Sequence, residues 1–301
     1  MLRPMLADEI VEGVVMAESS AARERVVELL REQIGALRDA EPGVRLGRDP
    51  EETHKMRTAV RRLRAVFGAV RDMFEPRWVA HLRKELDWLG AILGARRDLD
   101  VLYEHLRAEV APLRVGRVAA QHMLGRLDRQ RSRAGERARD AVEGPRYARL
   151  LGRLREGAEH PPVVDPNVSL PEVAARAFKK LRKAVDGLPE KPADAELHKV
   201  RIRVKRARYA AELAEPMAGK PAQRFIKKAK KLQDALGEHQ DAAVAEQRVR
   251  RLLRAERRPL AVALSRRLVD KQRARRQEAR ADFLDAWPGL ERRGRKAWRN
   301  T

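Results

Sequence analysis

The sequence contains no cysteine, only 4% aromatic residues and no long uninterrupted apolar run. The first absence excludes disulfides, thiolate-ligated metals and a cysteine nucleophile. The second leaves little with which to stack on nucleobases. The third excludes a helical membrane span, which needs roughly 18 or more consecutive apolar residues. Asp8, Glu9 and Glu12 interrupt the apolar character of residues 1–16, so this segment reads as a poor signal peptide and the expected location is cytoplasmic. Catalytic motifs are missing as well. There is no Gly-rich phosphate loop, no HExxH pair, no two-metal carboxylate cluster and no serine-centred triad. An enzyme is therefore the least favoured class, and neither a metal nor a cofactor is expected.

What the sequence has in excess is positive charge. Lys and Arg number 67 against 44 Asp and Glu, a formal +23. Such an excess opposes compaction by self-repulsion and draws in anions. Nucleic acid, anionic lipid surfaces and phosphate polymers all fit on charge alone. The 43% of hydrophobic residues is enough to form real cores, so disorder throughout is excluded. The 301 residues leave room for two domains of ordinary size.

An internal repeat organises the chain. His54-Lys55-Met56-Arg57 followed by Val60-Arg61-Arg62-Leu63-Arg64 returns as His198-Lys199-Val200-Arg201 followed by Val204-Lys205-Arg206-Ala207-Arg208, 144 residues later. Downstream, LGAILGARRD at residues 89–98 returns as LQDALGEHQD at 232–241, 143 residues later. Two motifs in order at nearly constant spacing point to a duplicated unit, too long for a solenoid repeat.

The apolar periodicity is helical throughout, with no strand pattern. Ser19 or Ser20 can cap a helix running to about residue 40. Asp49, Pro50 and Glu52 form a clear helix start, and that helix ends near Glu75-Pro76. Further helices are expected to about residue 94, then over 97–111, 117–142 and 145–157. Prolines at 161, 162, 166 and 171 mark a linker. In the second half, helices are expected over 171–185, 194–216 and 221–236. One or two long helices and a short last one follow, with a break or kink at Pro259.

On a helix, His54, Arg57, Arg61 and Arg64 fall within an arc of about 80°, beside a separate apolar stripe of Met56, Val60, Leu63, Phe67 and Val70. His198, Arg201, Lys205 and Arg208 repeat the ladder at the same offsets. Forked guanidinium donors suit phosphate oxygens. Residues 57–71 contain no acid before Asp72, so no carboxylate one turn away relieves the first ladder, and a counter-anion is expected. Both histidines lie near helix starts, where the dipole favours anions, and contact with phosphate would raise an imidazole pKa. Each can equally serve a cap or a structural hydrogen bond. Lys84 and Lys227 correspond on the following helices; Lys228, Lys230 and Lys231 add charge to the second copy, and Arg176, Lys180 and Lys183 line one face of the helix that opens the second half.

The two histidine motifs, each followed by its LGxxxD-like element, resemble the CHAD domain, the conserved-histidine α-helical domain, over about residues 18–298. The resemblance implies an all-α fold of two pseudo-twofold-related four-helix bundles with a basic central channel. The corresponding division is an N-terminal extension at 1–17, a first bundle at 18–157, a linker at 158–170 and a second bundle at 171–301. It implies non-catalytic binding of inorganic polyphosphate and association with polyphosphate granules. Carried over by position, the ligand residues are His54, Arg57, Arg61 and Arg64, then His198, Arg201, Lys205 and Arg208, with Lys84 and Lys227 on the next helices. The acidic triphosphate-tunnel domain that often accompanies CHAD is missing, so triphosphate hydrolysis is not expected. Gln240 stands where the first copy has Arg97, which sets that position apart.

Other readings stay in view. A nucleic-acid-binding protein using the same basic surface is the alternative. Asp98, Asp100 and Asp241 could suggest Mg²⁺, but helix capping or pairing with nearby Arg is the simpler account. Trp88 is expected in the core. The Arg-rich stretches 129–139 and 271–280 read as solvated faces that attract polyanions diffusely.

Overall fold

The computed structural model describes residues 3–47, 49–112, 116–254, 259–299 and 301; for residues 3–19 and 253 it describes the backbone alone. The described chain is all-α. Eight α-helices follow one another: α1 (Arg3–Leu46), α2 (Pro50–Ala69), α3 (Pro76–Val110), α4 (Arg117–Glu143), α5 (Pro145–Glu159), α6 (Leu170–Asp186), α7 (Asp194–Leu253) and α8 (Pro259–Ala297). A single 3-10 turn, Arg71–Met73, joins α2 to α3.

Several helix ends fall where local chemistry puts them. Asp49 caps α2, its carboxylate accepting from the Glu51 N–H at 2.8 Å, with Pro50 at the first position. Ser169 caps α6 through the Glu172 N–H. Other ends do not. Ser19 and Ser20 lie inside α1, which begins at Arg3, and Ser20 Oγ donates to Glu24. The same helix passes Pro42 and runs to Leu46, because Leu37, Ala40 and Val44 continue its buried stripe. Burial there outweighs the hydrogen bond that Pro42 removes. Likewise α3 is continuous through Gly94 and Arg97, where two helices were expected; Leu93, Leu99 and Leu102 stay buried across the junction.

The expected break around Pro216 and Pro221 falls at Gly219, whose φ of 59° and ψ of −145° interrupt α7. Positive φ at that ψ is open to glycine and strained for other residues. The chain folds back there, so that Gln233 meets Arg208 and Gln240 meets His198. Pro259 opens α8, which continues unbroken to Ala297 without a separate last helix; residues 255–258 lie outside the described chain. The proline-rich linker is tied down. Phe74 and Val163 form an isolated antiparallel bridge, the Glu75 N–H donates to Pro162 O at 2.9 Å, and the Val164 N–H donates to Met73 O at 2.9 Å.

Two cores result. The larger takes residues from all eight helices, among them Val26, Leu63, Leu86, Leu154, Phe178 and Phe283. The smaller joins the C-terminal part of α3 (Leu99, Leu106), the first half of α4 (Met123, Leu127), the end of α7 (Val249) and the start of α8 (Leu264, Leu268). Both cores draw on both halves of the sequence. Helix α2 packs against α1 and α3 and also against α7, so the two repeats of the histidine motif lie on helices in contact.

The apolar stripe of α2 anchors this arrangement: Met56, Val60, Leu63 and Phe67 are at most 1% exposed. Truncating such a side chain removes transfer free energy and leaves a cavity. Leu63→Ala should therefore destabilise the protein by about 2–5 kcal/mol, read as a lower denaturant midpoint at unchanged slope.

Candidate functional site

Spacing alone defines the ladders; the fold brings their middle members together. Arg57 and Arg61 on α2 act electrostatically on Arg201 and Lys205 on α7; Asp241 opposes them at both, and Asp98 at Arg201. The Lys205 ammonium is pushed down to about 7, first by burial, then by repulsion from Arg201, Arg61 and Arg57, with Asp241 pulling the other way. Arg201 is lowered by the same causes, burial first. Four cations from two helices thus converge on one half-buried spot.

Neighbouring helices supply part of the neutralisation. Asp98 on α3 accepts from Arg57 Nη2 at 3.3 Å, and Asp87 pairs with Arg64 at 2.5 Å. Glu32 on α1 lies 3.7 Å from Arg62. In the second half, Arg208 donates to Glu212 at 2.6 Å and to Gln233 at 3.1 Å. The expectation of a ladder without carboxylate relief is therefore corrected at Arg57 and Arg64. An i,i+4 search within α2 could not find acids that arrive from α3. Two glycines of the LGAILGARRD segment lie under these crossings: a Cβ at Gly94 would stand 3.5 Å from Arg57 Nε, and one at Gly90 3.5 Å from Arg64 Nη1, ordinary contact distances.

What is left unneutralised lies at the centre. Among the described residues, neither Arg61 nor Lys205 has an ion-pair partner; Glu212 is near enough to feel Arg61 but holds its pair with Arg208. The buried atoms Arg61 Nε, Arg201 Nε and His54 Nδ1 have no hydrogen-bond partner in the protein. A buried donor without a partner is unfavourable by about 1–3 kcal/mol, more when charged. Among four cations, the two guanidinium Nε–H groups are donors that an anion with several oxygens would satisfy.

The histidines are not equivalent. Burial and then Arg97, with Arg61 and Arg57 behind it, hold the His54 pKa below its ordinary value, Glu51 opposing. His198 is exposed, and its Nδ1 is 2.9 Å from Gln240 Oε1. Arg97 and Gln240 occupy the same place in the two copies, so the position that departs from the repeat sits beside the motif histidine in both halves. Its identity decides whether that histidine meets a cation or an amide. Sequence reasoning noticed the mismatch but not the contact. Of the two roles expected for the aspartates, capping or pairing with a nearby Arg, the structure gives pairing for Asp98 with Arg57 and for Asp100 with Arg96 at 2.9 Å, while Asp241 acts on Arg201 electrostatically.

Lys84 and Lys227 are exposed and make no ion pair or hydrogen bond among the described residues. Lys84 lines a groove between α3 and α5. Trp88 packs against the larger core as expected, with the Arg146 guanidinium stacked 4.1 Å from its ring. The Arg-rich faces are more structural than expected. Arg273 and Arg276 pair with Glu246, Arg276 also with Asp194 at 2.9 Å, and Lys271 pairs with Glu109. Arg131 pairs with Asp128 at 2.7 Å and stacks over Tyr103. Among the described residues, no helix is long and apolar enough to cross a membrane, and no group of three or more His, Asp or Glu could hold a metal ion.

These features define an all-α protein with a duplicated basic motif whose two copies meet across α2 and α7. The family model of the CHAD domain matches residues 28–250, and the chain belongs to that family. Two Mycobacterium tuberculosis relatives, the uncharacterized proteins MT2285 and Rv2226, are each 30% identical over 210 residues, covering 65% of this chain. The chain matches only 39% of their length. Among solved structures, PptA from Streptomyces chartreusis superposes with a TM-score of 0.74 at 24% identity, covering 88% of this chain and 98% of that one. The CHAD domain from the plant Ricinus communis superposes with a TM-score of 0.69 at 26% identity, covering 89% and 90%.

Proposed function

We propose that this chain binds inorganic polyphosphate without turning it over, through the facing ladders of α2 and α7. The observation that carries the reading is the convergence of Arg57, Arg61, Arg201 and Lys205, with Arg61 and Lys205 lacking ion pairs. In this reading the two repeats are pseudo-twofold-related four-helix bundles and the ladders line a basic channel between them. His54, Arg64, His198 and Arg208 extend the contact along the polymer, and Lys84 and Lys227 stand farther out. The protein works in the cytoplasm, associated with polyphosphate granules. A linear phosphate chain suits the site because it presents oxygens on all sides and is thin enough to lie among side chains of two packed helices. A nucleic-acid duplex is too wide for such a place, and no aromatic side chain interleaves the ladder from His54 to Arg64 to stack on single-stranded bases.

The test is competition. At about 0.15 M salt, long polyphosphate should displace labelled DNA at lower total phosphate than duplex or single-stranded DNA displaces labelled polyphosphate. Both ligands release counterions, so the comparison is made at one ionic strength. Equal or tighter binding of DNA would overturn the reading in favour of a nucleic-acid-binding protein.

A further inference from the structure

A second basic concavity lies between α3 and α5, where His81, Lys84 and Glu85 face Arg146, Arg149 and Arg153 around a cavity of about 270 Å³. On α3, residues 81, 84, 85 and 88 fall on one face; on α5, residues 146, 149 and 153 do the same. Seven residues of helix rise about 10 Å, so the three arginines of α5, with Lys84 opposite them on α3, span more than a single phosphate group. The one carboxylate is already engaged: Glu85 takes a two-pronged contact from Arg146 at 2.6 and 3.2 Å, and Trp88 backs the same guanidinium. Lys84 and Arg149 are left without a carboxylate, and Arg153 is pressed against the His81 ring. Two cations without a carboxylate, beside a third guanidinium that contacts the His81 ring, form in this concave surface an arrangement that an anion would neutralise.

We propose that this α3/α5 groove is a second binding site for condensed phosphate, distinct from the α2/α7 ladders, with Lys84, Arg149 and Arg153 as its ligands and the Glu85–Arg146–Trp88 stack as its fixed wall. The ligand class rests on the polyphosphate reading of the ladders; the site itself rests on the groove. It gives Lys84 a role apart from its repeat partner, and it adjoins the ladder, since Asp87, one turn further along α3, holds Arg64.

The experiment is calorimetric titration of the full chain with tripolyphosphate, in the parent, in R149E/R153E and in R61E/K205E. The parent should show two classes of site. R149E/R153E should lose one and keep the other, and R61E/K205E should lose the one that R149E/R153E keeps. With long polyphosphate, R149E/R153E should bind more weakly by on the order of tenfold, the share of two exposed phosphate contacts. An R149E/R153E isotherm that superimposes on the parent overturns the groove and leaves the ladders untouched. Loss confined to R149E/R153E keeps the groove and overturns the ladders. Orthophosphate is the second arm: it should saturate neither class at concentrations where tripolyphosphate does, and equal saturation of the groove would make it a free-phosphate site instead. Arg149 and Arg153 are exposed, so the fold should survive; if the R149E/R153E melting curve shifts, R149Q/R153Q decides the same question.

Discussion

Replacing Arg61 and Lys205 together by glutamate should abolish polyphosphate binding while helicity and the unfolding transition remain. Each charge-assisted hydrogen bond to phosphate contributes about 1.5–3 kcal/mol, and each 1.4 kcal/mol is roughly tenfold in affinity. Loss of two such contacts is at least a hundredfold effect, and reversal goes further. The new carboxylates would repel the polymer and would also pair with Arg57 and Arg201, the two cations that face Lys205 with Arg61. The fold has little to lose. Neither residue belongs to the apolar stripe, and Lys205 sits under repulsion from Arg201, Arg61 and Arg57, of which Arg201 and Arg57 would attract the new carboxylate in the double variant. The control is R137E/R139E, on an exposed part of α4, where charges act diffusely and are screened beyond about 10 Å at 0.1 M salt. That pair should weaken binding only modestly. An R61E/K205E protein that binds like the parent would remove the ladders from consideration.

The reach of sequence reasoning here follows from which interactions are local. The ladders on α2 and α7, the cap at Asp49 and the apolar stripe through Leu63 depend on residues within two turns, and spacing reveals them. Capping or pairing with a nearby Arg is also legible as the simpler account of Asp98 and Asp241, but not which Arg: Asp98 pairs with Arg57, and Asp241 acts electrostatically on Arg201. What the sequence could not show is set by tertiary contact. Nothing local says that Asp87 crosses from α3 to Arg64, or that Arg97 stands by His54 while Gln240 stands by His198. The 271–280 stretch looked like a solvated face because its acidic partners, Glu109, Glu238, Glu246 and Asp194, lie on α3 and α7. Helix ends failed where burial outweighed local signals, as at Pro42 and Gly94. Lys84 and Lys227 matched by position but not by surroundings, since repeat spacing carries no information on the neighbouring helix.

Polyphosphate affinity should be flat below about pH 7 and fall above it, by up to about tenfold per pH unit, with Lys205 as the group responsible. Sequence logic assigns such pH dependence to the histidines. The surroundings reassign it: His54 is held below its ordinary pKa by burial and Arg97, whereas the Lys205 ammonium is brought down to about 7 by burial, Arg201, Arg61 and Arg57, against Asp241. An anion seated among these groups raises the Lys205 pKa again, because it favours the charged form. Between the free and bound pKa values, binding takes up a proton, so affinity declines as pH rises through that window. Below the free value both states carry the proton and the dependence vanishes. The ligand-free protein obeys the complementary sign. Lys205 is protonated in the unfolded chain up to its ordinary 10.5 but loses its proton in the folded chain near 7. The unfolded state thus binds more protons between those values, and this contribution to stability rises with pH across the window. Lys205→Arg is the decisive variant, since a guanidinium keeps its charge throughout. It should bind as the parent does at pH 6.5 and abolish the decline from pH 7 to 8.5, whereas H54A/H198A should retain that decline. Long chains are needed, because terminal phosphates titrate in the same range and are few when chains are long. If K205R keeps the parent slope and H54A/H198A flattens it, the proton belongs to an imidazole and the assignment to Lys205 is wrong.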